Sequence, residues 1–222
     1  MARNPQILAT SGGFTPRVGV RSSADRGGLM NEAIRLADVP RARVCGLFSA
    51  VGDHPGWIAW WYDAMGGHDD VSLTHLTLYD MPNRLDMRGH LLAQDVIWVS
   101  GGSTANLLAL WRAHRLDDVL RECWESGVVL TGVSAGSVCW HLGGTTDSFG
   151  LNLQPILDGL GLVPYSNCPH YDAEEQRRPL YHRLIADGTL TAGYASDNGA
   201  GLHYVGRELV RVVAEVDGAA AY

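Results

Sequence analysis

The chain has 222 residues, of which 46% are hydrophobic and 18% are charged, and its formal net charge at pH 7 is −7. This length and composition predict a globular chain with a full hydrophobic core, which excludes intrinsic disorder. The acidic balance excludes a nucleic-acid surface, and no apolar segment is long enough to span a bilayer. The first residues also lack the apolar core of a signal peptide, so we expect a cytoplasmic protein.

Strand-like and helix-like segments alternate along the chain. Short apolar runs typical of strands occur at residues 6–10, 43–49, 72–78, 95–100, 128–130 and 201–205. Apolar residues at helical spacing occur at residues 28–39, 56–65, 107–111 and 116–125. This alternation predicts an α/β fold with a mostly parallel sheet sandwiched by helices. We expect residues 1–222 to form a single domain, the tryptophan-rich helix at 56–65 to pack in the core, and the tail after Asp217 to fray.

The four cysteines give no sign of a metal site. They are Cys45, Cys123, Cys139 and Cys168, and no two of them have C-x-x-C spacing. A zinc site or a disulfide framework is therefore not expected. We expect no metal and no cofactor.

The segment Val128–Trp140, VVLTGVSAGSVCW, places a serine between a predicted strand and a predicted helix. Ser134 lies between Gly132 and Gly136 in a Gly-x-Ser-x-Gly pattern, which is typical of a nucleophile elbow. Such a turn exposes the serine hydroxyl at the carboxyl end of a strand, where backbone N–H groups can stabilise an oxyanion. The alternative is a glycine-rich turn with an ordinary serine, and the five-residue pattern alone does not decide between the two.

A second glycine-rich turn, Gly101-Gly102, follows the predicted strand at 95–100. In an open α/β sheet, ligands bind at the edge formed by the carboxyl ends of the strands. The turn is either a tight connection or the source of a second oxyanion donor. We favour the donor, because glycine lets the main chain approach a substrate closely. Neither glycine-rich turn has the pattern of a nucleotide-binding loop.

A serine nucleophile needs a general base, and the base needs a group that orients it. Of the nine histidines, His170 stands out because it follows a proline in a non-helical loop. A histidine in a loop can also be an ordinary surface residue. The acids that follow the elbow are Asp147, Asp172, Asp197 and the pair Glu174–Glu175, and periodicity does not choose among them.

Four motifs now stand in order along the chain: Gly101–Leu108, Gly132–Ser137, Thr145-Thr146-Asp147 and Pro169-His170-Tyr171, followed by the segment Ser196–Leu202. Together they resemble peptidase family S51, which includes aspartyl dipeptidase (peptidase E) and the related cyanophycinase. The resemblance covers residues 7–205. It implies a fold like that of the class I glutamine amidotransferases, with a serine where those enzymes use a cysteine.

The resemblance also implies roles for particular residues. Ser134 would be the nucleophile and His170 the general base. The backbone N–H groups of Ala135 and of Gly102 or Gly101 would form the oxyanion hole.

The third member of the site and the substrate-reading group stay open. The family's acid aligns with Asn198, while Asp197 is one position early and Asp147 matches another family aspartate. A neutral amide can also orient an imidazole. The resemblance implies that Arg177 or Arg178 reads a substrate carboxylate, because a guanidinium fork suits this group. The alternative is a pair of solvated arginines.

The leading interpretation is a serine exopeptidase that hydrolyses short peptides, in particular dipeptides with N-terminal aspartate, through an acyl-enzyme. One alternative is a β-aspartyl peptidase or esterase of the cyanophycinase type, and another is an inactive amidotransferase-like binding domain. The expected partner is a short peptide, and neither nucleic acid nor a membrane is expected. The oligomeric state, including a homodimer, stays open.

Overall fold

In the computed structural model, which describes residues 4–19 and 23–222, the chain forms three sheets and the helices that cover them. The strands are β1 Gln6–Thr10, β2 Phe14–Pro16, β3 Ala24–Arg26, β4 Ala42–Leu47, β5 Val71–Leu76, β6 Val96–Val99, β7 Val129–Val133, β8 Gly143–Thr146, β9 Gln154–Ile156, β10 Ser166–Pro169, β11 Gly193–Ser196, β12 Ala200–Val205 and β13 Glu208–Ala214. The helices are α1 Gly28–Leu36, α2 Pro55–Met65, α3 Met87–Leu92, α4 Thr104–Ala113, α5 Leu116–Glu125, α6 Ala135–Val138 and α7 Arg177–Ala186. Within the described ranges, no helix combines the length and the hydrophobicity that crossing a membrane requires.

The main sheet has seven strands in the order β13-β12-β1-β7-β6-β4-β5. The five strands from β1 to β5 in this order are parallel, whereas at the other edge β12 is antiparallel to β1 and β13 is antiparallel to β12. The prediction of a mostly parallel sheet flanked by helices is confirmed. The predicted strand at 201–205 corresponds to β12, which is antiparallel to β1.

The central strands of the main sheet are buried on both faces. Successive side chains of a strand point to opposite faces, so neighbouring residues pack against different helices. In β7, Leu130 packs with side chains of α4, α5 and α6, whereas its neighbour Val129 packs with side chains of α1 and α2. In β6, Ile97 and Trp98 divide between the same two faces. This division explains why these strands are continuous apolar runs in the sequence.

A smaller sheet with the order β11-β10-β8-β9 follows the elbow, and it was not predicted from the sequence. Its strands have only three or four residues each, so an alternating pattern is too short to recognise. Strands β10 and β11 are parallel, and Pro169 pairs with Ser196 at their carboxyl ends. The residues that follow these two strands are therefore neighbours in space.

The prediction that the tail after Asp217 frays is wrong. Ala195 and Tyr222 exchange backbone hydrogen bonds of 3.0 and 2.9 Å, and the Asp197 N–H donates to the Ala220 carbonyl at 3.0 Å. The tail is therefore held against the end of β11. Its small alanines suggested a lack of packing, but backbone pairing needs no large side chain.

Glu215, just after β13, fixes the turn that follows β1. Its carboxylate accepts hydrogen bonds from the backbone N–H groups of Gly13 at 2.7 Å and Leu29 at 2.8 Å. Leu29 lies in the first turn of α1, whose N-cap residue Gly27 supplies no side-chain acceptor. Glu215 therefore caps this helix from a distant part of the chain. A Cβ atom on Gly12 would overlap the Glu215 carboxylate, so this turn also requires a glycine.

We expect Glu215→Ala to lower the free energy of unfolding by about 2–6 kcal/mol, because two part-buried N–H groups lose their acceptor and each costs about 1–3 kcal/mol. Urea denaturation followed by circular dichroism measures this loss. Glu208→Ala is the control, because Glu208 is an exposed glutamate of β13, and we expect it to change the free energy by less than about 0.5 kcal/mol. Equal losses in the two variants would contradict the capping role.

Candidate active site

Ser134 occupies the turn between β7 and α6. Its backbone has φ 58° and ψ −110°, a conformation that few residues other than glycine adopt. The Ser134 N–H donates to the Thr10 carbonyl at 3.1 Å, and the Ser134 carbonyl accepts from the N–H groups of Ser137 and Val138 at 2.8 and 2.9 Å. These bonds hold the serine in the backbone conformation of a nucleophile elbow.

The two glycines that flank the serine are required by close packing. A Cβ atom on Gly132 would lie 2.6 Å from the Gly136 carbonyl oxygen and 2.7 Å from that of Val99. A Cβ atom on Gly136 would lie 2.8 Å from the Val99 carbonyl carbon. Only glycine lets β6, β7 and α6 approach this closely. The Gly-x-Ser-x-Gly pattern thus sets both the sharpness of the turn and its distance from β6.

The Gly101-Gly102 turn, which follows β6, lies directly against the elbow. A Cβ atom on Gly101 would be 3.3 Å from the Ser134 Cβ atom, and Gly102 has a φ of 129°. Among the described residues, the backbone N–H groups of Gly101, Gly102 and Ala135 have no hydrogen-bond acceptor. These N–H groups are therefore available to an oxyanion formed beside Ser134.

His170 follows β10, and its backbone is hydrogen-bonded to Ser11, the residue after β1. Its backbone N–H donates to the Ser11 Oγ atom at 3.3 Å, and the next N–H, of Tyr171, donates to the Ser196 carbonyl at 3.1 Å. The Ser11 hydroxyl is buried and also contacts the Ser196 hydroxyl at 2.8 Å. The role of Ser11 is one that was not predicted from the sequence. Its position after the first strand, at the same sheet edge as both glycine-rich turns, was the signal that could have indicated one.

Asn198 is the group that contacts the imidazole. The His170 Nδ1 atom lies 2.6 Å from the Asn198 Oδ1 atom. An amide oxygen can only accept, so Nδ1 carries the proton and Nε2 is free to accept a proton from a hydroxyl. The Asn198 backbone N–H donates to the Asp172 carboxylate at 2.7 Å. The parallel pairing of β10 with β11 brings His170 and Asn198 side by side.

The two aspartates proposed as alternatives to Asn198 lie elsewhere. The Asp197 carboxylate accepts from the Ala220 N–H at 3.2 Å and from the Tyr222 hydroxyl at 3.4 Å, so it anchors the C-terminal tail. Asp147 is exposed and lines a separate cavity of 680 Å³. In the described contacts, neither carboxylate meets the imidazole of His170.

The two arginines have different surroundings. Arg177 has a side chain only 2% exposed, donates to both carboxylate oxygens of Glu174 at 2.8 and 3.1 Å, and donates to the Thr145 carbonyl at 3.0 Å. The Arg178 guanidinium lies over the Tyr171 ring, 4.7 Å from its centroid. The interpretation of two solvated arginines is wrong for Arg177. Its fork is already occupied within the protein, which argues equally against a role in reading substrate.

An apolar cavity of 310 Å³, here called the aromatic cleft, opens beside the elbow. Its lining consists of Phe14, Phe48, Val51, Trp57, Trp60, Trp98, Ser100, Gly101, Gly102 and Val133. It adjoins a wider cavity of 940 Å³ that shares Phe14, Trp57, Trp60 and Val133. The cleft reaches Gly101, Gly102 and Val133, the residue before Ser134, so it is placed to receive part of a ligand bound beside Ser134.

The prediction that the tryptophans of α2 pack in the core is right for Trp61, which is fully buried, and wrong for Trp57, which is 51% exposed at the cleft. Helical periodicity puts both on the same side of α2. It does not show that the first turn of the helix borders an open cleft, where Trp57 stays accessible.

His141, just after α6, fastens the elbow helix to β12. Its Nδ1–H donates to the Ser137 carbonyl at 2.9 Å, and its Nε2 accepts from the Tyr204 hydroxyl at 3.0 Å. Burial disfavours the charged imidazolium and lowers the pKa of His141 from 6.5 to about 4. His141 is therefore a neutral structural group.

Comparisons with known proteins agree with one another. The model of Peptidase family S51 matches residues 31–212. The chain is 41% identical over 219 residues to Uncharacterized peptidase YgaJ from Bacillus subtilis, covering 98% of this chain and 90% of that protein. It is 32% identical to Peptidase E from Pasteurella multocida over 55% of this chain and 56% of that protein. A putative peptidase E structure from Listeria monocytogenes superposes with a TM-score of 0.67 at 17% identity, covering 95% of this chain and 98% of the other.

The buried His141 predicts a loss of stability in acid. Its folded-state pKa is about 4, whereas an unfolded histidine titrates near 6.5, so between these values the unfolded state binds the extra proton. The stability contribution is complete above pH 6.5 and falls as the pH approaches 4, by up to about 3 kcal/mol. Urea denaturation from pH 7 to about pH 4 should show a steeper loss for the native chain than for His141→Gln. An equal pH dependence of the two would contradict this.

Proposed function

The chain belongs to peptidase family S51, and we propose that this peptidase is of the serine type and cleaves short peptides with Ser134 as nucleophile, His170 as general base and Asn198 as the group that orients His170. The observation that carries the proposal is that the backbones of both reacting residues are hydrogen-bonded to residues at the end of β1. Thr10 holds the backbone of Ser134, and the adjacent Ser11 holds the backbone of His170.

The proposed reaction is acyl transfer in two stages. The Ser134 Oγ atom attacks the scissile carbonyl carbon while its proton moves to His170 Nε2. The carbonyl oxygen becomes an oxyanion that accepts hydrogen bonds from the N–H groups of Ala135 and of Gly101 or Gly102, each worth about 10²–10³-fold in kcat. The carbon–nitrogen bond then breaks and His170 returns the proton to the leaving amine. Water hydrolyses the acyl-enzyme by the same route.

The contact between His170 and Asn198 favours an active enzyme over an inactive binding domain. An orienting group is what an inactive relative would lack, and here the amide oxygen lies 2.6 Å from the imidazole. A neutral amide fixes the tautomer of the histidine, as in Cys-His-Asn sites. We therefore propose catalysis without a carboxylate in direct contact with the base.

We do not extend the proposal to a preference for N-terminal aspartate. Reading the aspartate side chain needs a cation at the substrate cavity. Arg177 is occupied by Glu174 and Thr145, and Arg178 stacks on Tyr171, a residue outside the lining of the aromatic cleft. The same contacts give no support to a β-aspartyl preference.

We also propose that the enzyme works in the cytoplasm. All four cysteines are buried with free thiols. Free thiols suit a reducing compartment.

We expect Ser134→Ala to lower kcat/KM for peptides by at least about 10⁴-fold, because the nucleophile is removed. Release of free amino acids from a panel of dipeptides and aminoacyl-p-nitroanilides measures this change, and circular dichroism verifies the fold. Ser126→Ala is the matched control, because Ser126 is an exposed serine at the end of α5. Full activity in Ser134→Ala would exclude the serine mechanism.

We expect Asn198→Ala to lower kcat by about 10²-fold with little change in KM, because the base loses the group that fixes its tautomer. Asn198→Asp keeps an acceptor oxygen, so its kcat should stay within about tenfold of the native value. Asp147→Asn tests the alternative acid and should leave kcat unchanged. A large loss in Asp147→Asn together with native activity in Asn198→Ala would assign the role to Asp147 instead.

A further inference from the structure

We infer that the aromatic cleft binds a large apolar side chain, such as that of phenylalanine, on the acyl side of the scissile bond. The inference rests on the proposed serine mechanism and adds a substrate class to the same site. It follows from three features: where the cleft begins, on which side of the nucleophile it lies, and what lines it.

The cleft begins at the reacting groups. Gly101 and Gly102, whose N–H groups have no acceptor in the described structure, form part of its wall. Val133, the residue before Ser134, forms another part. A carbonyl oxygen bound by the glycine N–H groups would have its adjacent α-carbon at the mouth of the cleft.

The order of the strands separates the two sides of the scissile bond. Strand β7, which ends at Ser134, lies between β6 and β1. The oxyanion glycines follow β6, whereas His170 is attached to Ser11 at the end of β1. Because His170 must return a proton to the leaving amine, the leaving group lies on the β1 side. The acyl residue then lies on the β6 side, where Trp98 of β6 lines the cleft.

The walls are rings in contact with one another. Phe14 lies edge-on to Trp60 with ring centroids 5.1 Å apart and to Trp98 at 5.5 Å, and Trp57 lies edge-on to Trp60 at 5.7 Å. A volume of 310 Å³ is at the lower end of the roughly 300–1,000 Å³ typical of ligand pockets. It suits one large side chain rather than an extended peptide.

The uncharged lining of the aromatic cleft decides which substrate side chains it binds. None of the described residues that line the cleft is Lys, Arg, Asp or Glu. A carboxylate would lose its hydration without gaining a cation. An ammonium group would meet ring faces but no carboxylate partner. A phenyl ring gains both burial and edge-to-face contacts, worth about 10–100-fold in kcat/KM over a methyl side chain.

The test uses amino-acid diphenyl phosphonates derived from Phe, Ala, Asp and Lys, each with a free amino group. In these probes a phosphorus atom replaces the scissile carbonyl carbon. The Ser134 Oγ–P bond forms, one P–O bond to a phenoxide breaks, and the serine proton passes through His170 to the departing phenol. Mass spectrometry of the intact chain gives the rate at which Ser134 is labelled.

We expect the Phe probe to label Ser134 about 10–100-fold faster than the Ala probe, and the Asp and Lys probes to be slower than the Ala probe. Fastest labelling by the Asp or Lys probe would overturn the inference. Equal rates with all four probes would overturn it while leaving the serine mechanism intact. Absence of labelling by every probe would overturn both. Faster hydrolysis of Ala-Phe than of Phe-Ala would show that the cleft binds the side chain of the leaving group, and it would overturn the assignment to the acyl side.

A variant of the cleft wall makes the test specific. Trp57 is 51% exposed, so Trp57→Ala does not hollow the core. We expect this substitution to lower the ratio of Phe to Ala labelling rates by about tenfold, because one wall of the cleft is removed. Phe149→Ala is the matched control, since Phe149 is 54% exposed and lies outside the cleft lining. An equal fall of the ratio in both variants would overturn the assignment.

Discussion

The arrangement of the site depends on two hydrogen bonds accepted by Thr10 and Ser11, at the end of β1. The Thr10 carbonyl accepts from the Ser134 N–H at 3.1 Å, and the Ser11 hydroxyl accepts from the His170 N–H at 3.3 Å. Strand β1 pairs with β7, which leads to Ser134, and with β12, which follows the Asn198 turn. Three distant segments therefore meet at two adjacent residues. Because both donors are backbone N–H groups, the two bonds hold the backbones of Ser134 and His170 in place, the first through the Thr10 carbonyl and the second through the Ser11 side chain.

The surroundings of Asn198 are consistent with the proposed role of a neutral amide in orienting His170. Asn198 is exposed, and so is Asp172, whose carboxylate accepts from the Asn198 N–H at 2.7 Å. The charge of an exposed carboxylate is screened by water, so its field at the imidazole is weak. Asp172 therefore acts chiefly by holding the Asn198 backbone in place. Positioning, rather than a buried negative charge, is what this part of the structure provides to His170.

The sequence predicts those parts of the structure that depend on local patterns. The parallel strands are recognisable because each is an apolar run buried on both faces, and the turn at Ser134 is recognisable because Gly132 and Gly136 are required within five residues. The sequence left open which group contacts His170, because Asp197 and Asn198 are adjacent and a local pattern does not show which of the two side chains points towards the imidazole. That direction is set by the tail, since the Ala220 N–H and the Tyr222 hydroxyl draw the Asp197 carboxylate away. The short strands of the second sheet and the role of Ser11 likewise depend on contacts between distant segments.

Arg177 illustrates why position in sequence does not identify a substrate-reading group. Arg177 is the first residue of α7, the helix that follows His170 in the chain, and a guanidinium suits a carboxylate. The carboxylate that it binds, however, is the protein's own Glu174. The Glu174 N–H donates to the His170 carbonyl at 3.3 Å, and Arg177 also donates to Thr145 of β8. Arg177 thus connects the small sheet to the loop that carries the base. Because its fork is filled by the protein's own groups, Arg177 supports the loop of His170, and it does not line the aromatic cleft beside Ser134.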